Sequence, residues 1–346
     1  MNETVRVLVV DDAAFMRRSL IKLLASDPQV EIVGEASNGR EAVEMADAVR
    51  PDVVCLDLDM PEMDGLTALK HLMSRRPTPV VVVSSLTERE NVPFETLRLG
   101  VLDFFPKPSA GSGRLEDQAR HLLYLVKNAR RIRSGNLRRV PLDAARPRLA
   151  LRGGCERTIV LGGTVGSVSG LLRVLTLLPA QASGGFSVLC QVPVHPAIVS
   201  SFVDSLRSYL GWEVERHSGL SPLRSGVATF LPPSASVAWQ GDRLALVEGG
   251  GEGLDSLFAA CGERFGPNAT LVLLAGDREE GLRGLRRAAA FGAACFVQDE
   301  KTALFSSWAP ALERTIGRFD LDHVVDSLGR AFDARIASSG DEGTEA

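Results

Sequence analysis

The stretch Val53-Val54-Cys55-Leu56-Asp57-Leu58-Asp59-Met60-Pro61-Glu62-Met63-Asp64-Gly65 decides how the rest of the chain is read. Four apolar residues run unbroken into Asp57, and the chain then turns through Met60-Pro61 towards Gly65. Such a run reads as a strand buried on both faces, as in parallel sheets. Asp57 then stands at its carboxyl edge, where open α/β sheets place ligands and chemistry. One acid at a strand end means little, so the pattern has to recur.

Working outward, Val5–Val10 stops at Asp11-Asp12, Thr78–Val83 runs into Ser84-Ser85, and Val101–Phe105 runs into Pro106-Lys107-Pro108. Val30–Glu35 adds a short strand. Phe15–Ala25 has helical spacing, with Met16, Leu20, Leu23 and Leu24 on one side and Arg17, Arg18 and Lys22 on the other. Gly39–Ala48 and Leu66–Ser74 are also helical, and Leu97–Gly100 ends a further helix. The alternation predicts a five-stranded parallel sheet covered on both faces, a flavodoxin-like α/β fold. Asp11, Asp12, Asp57, Ser84 and Lys107 all fall at or just past strand carboxyl ends. Clustered carboxylates repel unless a cation intervenes, and hard oxygen ligands suit Mg²⁺. A carboxylate beside Mg²⁺ can attack a phosphoryl donor, while an ammonium and a hydroxyl pair with the phosphoryl oxygens.

Bulk properties bound the alternatives. The chain has 346 residues, enough for two domains, with 45% hydrophobic and 24% charged residues. The formal net charge of −4 gives no reason to expect nucleic-acid or anionic-membrane binding. Cys55, Cys155, Cys190, Cys261 and Cys295 are widely spaced and odd in number, which reads as reduced thiols of a cytoplasmic protein. Runs such as Pro79–Val83 are too short to span a bilayer, so no membrane insertion is expected.

Leu115–Ile132 is helical and closes the first domain. From Lys127 to Arg152 there are nine basic residues and one acid, Asp143, broken by Pro141 and Pro147, which reads as a flexible basic linker. Strand-like Thr158–Leu161 then leads through Gly162-Gly163-Thr164-Val165-Gly166-Ser167 into helical Val168–Leu178. That elbow can present a hydroxyl at a helix N-terminus. Phe186–Val192, Ala269–Leu274 and Ala294–Val297 are further strands, and Ile198–Leu210, Leu254–Cys261 and Leu282–Phe291 are helices. Leu223–Leu231 and Val237–Val247 suggest β ribbons. Together they predict a second doubly wound α/β domain, with a polar, disordered tail after it.

The first half, on Val-Val-Asp11-Asp12, Leu-Asp57-Leu-Asp-Met-Pro, Val-Ser84-Ser and Lys107-Pro, resembles a response-regulator receiver domain. The resemblance implies Asp57 as phosphoacceptor, Asp11 and Asp12 with Asp57 as Mg²⁺ ligands, Ser84 as phosphoryl-sensing hydroxyl, Lys107 as phosphate-pairing ammonium, and Phe104 at the aromatic switch position. The second half resembles the catalytic domain of the CheB family of chemotaxis protein-glutamate methylesterases. Its supports are the elbow, Leu178-Pro179, Gln191, Leu254-Asp255, Leu274-Ala-Gly276, Glu280-Gly281 and Val297-Gln298-Asp299-Glu300. The implied layout is a receiver over 1–126, a linker over 127–155, a methylesterase-type domain over 156–332 and a tail over 333–346.

The resemblance implies hydrolysis of glutamate methyl esters and deamidation of glutamines on methyl-accepting chemoreceptors, gated by a chemotaxis histidine kinase. The family's Ser, His and Asp positions fall here on Thr164, Val192 and Glu280. Val192 carries no base, and loss of a triad member removes several orders of magnitude of rate. The expectation is a weak or inactive esterase, or else a phosphorylation-gated scaffold or phosphate sink. His195 lies three positions past Val192, an offset facing the opposite side of a continuing strand.

Overall fold

In a computed structural model, the described residues are 4–84, 92–107, 115–137, 139–140, 155–178, 186–195, 198–210, 213–247, 253–276, 279–305 and 315–323. They form two compact units.

The first unit alternates as its apolar runs predict. Its elements are β1 (Val5–Val10), α1 (Ala14–Leu24), β2 (Val30–Ala36), α2 (Gly39–Val49), β3 (Val53–Leu56), α3 (Gly65–Arg75), β4 (Val80–Ser84), α4 (Val92–Arg98), β5 (Asp103–Pro106) and α5 (Leu115–Asn128). The strands form a parallel sheet in the order β2-β1-β3-β4-β5. All four residues of β3 are buried, as a strand covered on both faces requires. Two helix starts are fixed by side chains. Asn38 accepts from the Glu41 N–H at 2.9 Å, and Asp64 accepts from the Thr67 N–H at 2.7 Å, satisfying amides that have no intrahelical partner.

The segment expected to be a flexible basic linker from Lys127 is ordered over its first part. It continues as short 3₁₀ turns at Ala129–Arg131 and Ser134–Asn136. Ile132, Leu137 and Val140 are buried, and Val140 exchanges two bonds with Arg98, its N–H donating to the Arg98 carbonyl at 2.9 Å and its carbonyl accepting from Nη1 at 3.2 Å. Three apolar anchors among the arginines outweigh composition here. Residues 141–154 lie outside the described residues, as does the predicted tail.

The second unit is built on a seven-stranded sheet. The remaining elements of the chain are β6 (Arg157–Gly163), α6 (Ser167–Leu177), β7 (Phe186–Gln191), α7 (Val199–Tyr209), β8 (Glu213–Arg216), β9 (Leu220–Pro222), β10 (Val227–Phe230), β11 (Ser236–Gln240), β12 (Arg243–Val247), α8 (Gly253–Phe265), β13 (Ala269–Leu274), α9 (Leu282–Ala290), β14 (Ala294–Gln298) and β15 (Ile316–Phe319). The large sheet runs β15-β14-β13-β6-β7-β10-β8, all parallel. β11 and β12 form the expected hairpin and add β9 in a separate antiparallel sheet. The reading of Leu223–Leu231 as a ribbon is corrected, because β10 is a fully buried parallel strand of the main sheet. The strand order reverses between β6 and β13, the type of switch point at which such sheets hold their sites.

His217, just beyond β8, is 8% exposed, and its Nδ1 accepts from the Gly219 N–H at 3.2 Å. Burial pushes its pKa below the ordinary histidine value. The unfolded chain therefore binds this proton more readily than the folded one, so the stability contributed above the unfolded pKa is lost as pH falls towards the folded pKa. Urea midpoints at pH 7.5 and 5.5 should separate more for the wild type than for His217→Asn, which keeps an acceptor for Gly219 but no titrating ring.

Candidate functional site

The carboxyl edge of the first sheet assembles from backbone bonds between strand ends. The Asp57 N–H donates to the Val10 carbonyl at 2.9 Å, and the Lys107 N–H donates to Ser84 at 2.9 Å. These bonds carry Asp57 against Asp11 and Lys107 against β4. Asp11 is 3% exposed and Asp57 1%, while Asp12 is open to solvent. Carboxylate oxygens of Asp11, Asp12 and Asp57 lie within 4.8 Å of one another. Lys107 Nζ bridges two of them, 2.6 Å from Asp57 and 2.8 Å from Asp11.

The electrostatics follow from that crowding. Burial pushes the Asp57 pKa up, and the Lys107 hydrogen bond offsets part of the rise. For Lys107, burial acts to lower the pKa, but its bonds to Asp11 and Asp57 outweigh it and the net shift is upward. The second Asp57 oxygen accepts from the Leu58 N–H at 2.7 Å, and Asp11 accepts from the Ala13 N–H at 2.9 Å. Three hard oxygen donors, one of them solvent-facing, match what a Mg²⁺ ion that keeps part of its water shell requires. The Ser84 hydroxyl donates to Asp59 at 3.4 Å. Asp59 was not among the sequence-predicted site residues, although it lies in the stretch that set the fold. Phe104 is 4% exposed, within the core.

Gly65 shapes this edge. A Cβ on it would lie 1.9 Å from the Asp57 carbonyl oxygen and 2.7 Å from the Leu58 Cα. The chain thus leaves Asp57, passes Glu62 in the left-handed region (φ 62°) and returns to press Gly65 on the strand end.

The second unit brings its predicted site residues to the switch point only in part. Thr164 follows β6, and its N–H donates to the Ala275 carbonyl after β13 at 3.2 Å. Gly166 takes φ 80° and opens α6 without a side-chain cap. Among the described residues, the Thr164 and Ser167 hydroxyl oxygens are buried without a hydrogen-bond partner. Gln191 ends β7 and donates to the Pro232 and Ala235 carbonyls at 2.9 and 2.7 Å. Val192 follows it, 3% exposed and hydrocarbon. His195 is half-buried.

Glu280 is placed by the start of α8. A Cβ on Gly253, which has φ 37°, would meet a Glu280 carboxylate oxygen at 2.9 Å. The α8 residue Asp255 in turn accepts from the Gly284 N–H in the first turn of α9 at 2.6 Å. Each helix start therefore faces an acid associated with the other, where negative charge is favoured. Sequence reading missed this pairing, because neither acid stands in a local capping pattern. Asp255→Ala should cost about 1–2 kcal/mol, read as a lowered urea midpoint with unchanged slope.

Comparison with known proteins follows the same division. Residues 7–119 match the response regulator receiver domain, and residues 159–317 match the CheB methylesterase domain. A protein-glutamate methylesterase/protein-glutamine glutaminase of Xanthomonas campestris pv. campestris is 34% identical over 87% of this chain and 88% of its own length. One from Koribacter versatilis is 31% identical over 90% of this chain and 91% of its own. The response regulator domain of Thermotoga maritima CheB is 42% identical and covers 38% of this chain and 99% of its own, with a TM-score of 0.35. The chain spans nearly the full length of the two curated relatives with both domains in their order, and it belongs to the CheB family of response regulators.

Proposed function

We propose that this chain is a chemotaxis-type response regulator phosphorylated on Asp57, with a protein-glutamate methylesterase-type domain addressed to methyl-accepting chemoreceptors. The observation that carries the first half is the Lys107 ammonium bridging Asp57 and Asp11 beside Asp12. A carboxylate oxygen of Asp57 attacks the phosphorus of a phosphohistidine on a chemotaxis kinase. A P–O bond forms, the P–N bond breaks, and the imidazole leaves. Asp11, Asp12 and Asp57 would hold Mg²⁺, which supplies charge neutralisation to the phosphoryl oxygens when bound. Lys107 pairs with a phosphoryl oxygen, and Ser84 donates to another. The setting we propose for this reaction is the cytoplasm.

For the second domain, the family activity is ester hydrolysis and glutamine deamidation, and Thr164, Val192 and Glu280 take the triad positions. The buried Thr164 hydroxyl and the hydrocarbon at Val192 favour weak or absent turnover. They support a second reading, a phosphorylation-gated receptor-binding scaffold or phosphate sink. One experiment separates the two. Full-length protein is phosphorylated with a small acyl phosphate and Mg²⁺, then given methylated receptor. Methanol release that Thr164→Ala abolishes sinks the scaffold reading. Phosphorylation-dependent receptor binding without methanol sinks the enzyme reading. Absence of an acid-stable, base-labile phosphoryl group that depends on Asp57 sinks the receiver half.

A further inference from the structure

A cleft of about 110 Å³ lies between α1 and α5 of the first unit, lined mainly by hydrocarbon. Its body is formed by Met16, Leu20 and Leu23 of α1, Leu122 of α5, and Val83 and Phe105 of the sheet. The site already described leaves this space unused. α1 buries only Leu24 completely, and the rest of its apolar stripe is half-covered. The α5 position facing the gap is the small Ala119, which leaves open what a larger side chain would fill.

We propose that this cleft is a binding site for a small neutral molecule with an apolar body of one ring or a short branched chain, carrying a single hydroxyl-type group. Size sets the first part. A dry apolar cavity of about 150 Å³ accommodates benzene, and this cleft is of the same order, so it takes at most one small ring and no helical peptide. Charge sets the second. The one ionised side chain in the lining, Asp11, has its carboxylate engaged by Lys107 at 2.8 Å and by the Ala13 N–H at 2.9 Å. Paired with Lys107, Asp11 presents a compensated charge to the cleft, which gives neither an anion nor an organic cation a strong preference over a neutral molecule. Polar handles come from the other two lining residues, Gln118 and Ser19. The Ser19 hydroxyl donates to the Phe15 carbonyl at 2.9 Å and keeps its oxygen as an acceptor.

The cleft also reaches the phosphorylation edge through its walls. Asp11 is shared by both, Val83 precedes Ser84, and Phe105 stands two residues before Lys107. Phe105 is in contact with His121, ring centroids 5.2 Å apart, and His121 is itself paired with Asp103 at 3.0 Å. A ligand against Phe105 and Val83 presses on the strand ends that lead to Lys107 and Ser84. Neither the site nor this coupling depends on the activity assigned to the second domain or on Asp57 being phosphorylated.

The test is a titration of the full-length protein, methyl-labelled at Met and Leu, with phenol. Saturable shifts of the Met16, Leu20, Leu23 and Leu122 methyls are expected, with a dissociation constant on the order of millimolar, and the Ser84 and Lys107 amides should move with the same midpoint. Ala119→Leu fills the gap and should abolish the saturable shifts while raising Tm. Leu23→Phe is the second filling variant, should the first fail to fold. Non-saturating shifts, shifts spread over both domains, or binding that survives the filled cleft would overturn the site. Saturable methyl shifts with still amides at Ser84 and Lys107 would overturn the coupling.

Discussion

Gly65→Ala should destabilise the first unit by about 3 kcal/mol and, on the proposed function, abolish phosphorylation at Asp57. The contact that sets this scale is backbone against backbone. A methyl at this position would sit 1.9 Å from the Asp57 carbonyl oxygen and 2.9 Å from its carbonyl carbon. No rotamer change relieves it, so either the start of α3 or the end of β3 must move. Overpacking ordinarily costs 1–3 kcal/mol, and a clash with main chain on both sides belongs at the top of that range. Movement of β3 displaces the Asp57 carboxylate from Lys107, and reaction rates fall steeply with misplacements on the order of 1 Å. Urea unfolding and acyl-phosphate labelling check the two parts separately. Gly135→Ala is the control, since nothing lies within 4 Å of the added methyl, and it should leave both readouts unchanged. A stable, fully phosphorylated Gly65→Ala protein would show that the loop yields, contrary to the packing.

The second large effect is a gain. On the proposed function, the triple change Thr164→Ser, Val192→His and Glu280→Asp should raise methanol release from methylated receptor by at least about 10²-fold over the wild type. The three changes act together because triad groups work as a unit and single restorations give little. Serine removes the methyl that restricts the side-chain torsion at a tight elbow. Histidine supplies the general base that Val192 lacks. Aspartate draws the carboxylate back from the space over Gly253 that the longer Glu280 fills. Matched single variants serve as references, and circular dichroism excludes loss of fold. If the triple variant folds, binds receptor and remains as slow as the wild type, the substituted triad is not what limits turnover.

The receiver half was legible because its chemistry is tied to its architecture. Each apolar run ends on a polar residue, so the same reading that found β1, β3, β4 and β5 also found Asp11, Asp57, Ser84 and Lys107. The second unit was harder for physical reasons. β8 reads Glu-Val-Glu-Arg and β15 reads Ile-Gly-Arg-Phe. Both are four-residue strands at the margins of the sheet, whose half-exposed side chains leave no apolar run to detect. β10 is apolar enough, but periodicity cannot tell a buried parallel strand from one arm of a ribbon. The segment from Ala129 to Val140 was hidden by its arginines, since three apolar anchors do not change a composition. The Asp255 and Glu280 arrangement joins Gly253 to Glu280 and Asp255 to Gly284, 27 and 29 residues apart in sequence, and comes into view only when α8 and α9 are packed.

The bond from Ser84 to Asp59 carries a consequence of its own. At 3.4 Å it is a slack hydrogen bond, contributing below about 1 kcal/mol. A receiver whose hydroxyl pointed at nothing would drift between rotamers before any signal arrived. One clamped by a short charge-assisted bond would resist being recruited. On the proposed function, Ser84 is parked on Asp59 by a slack bond, and a phosphoryl oxygen on Asp57 competes with that bond for the hydroxyl. On that reading, the side chain two residues past the acceptor contributes to the bias between off and on, at little cost to the response.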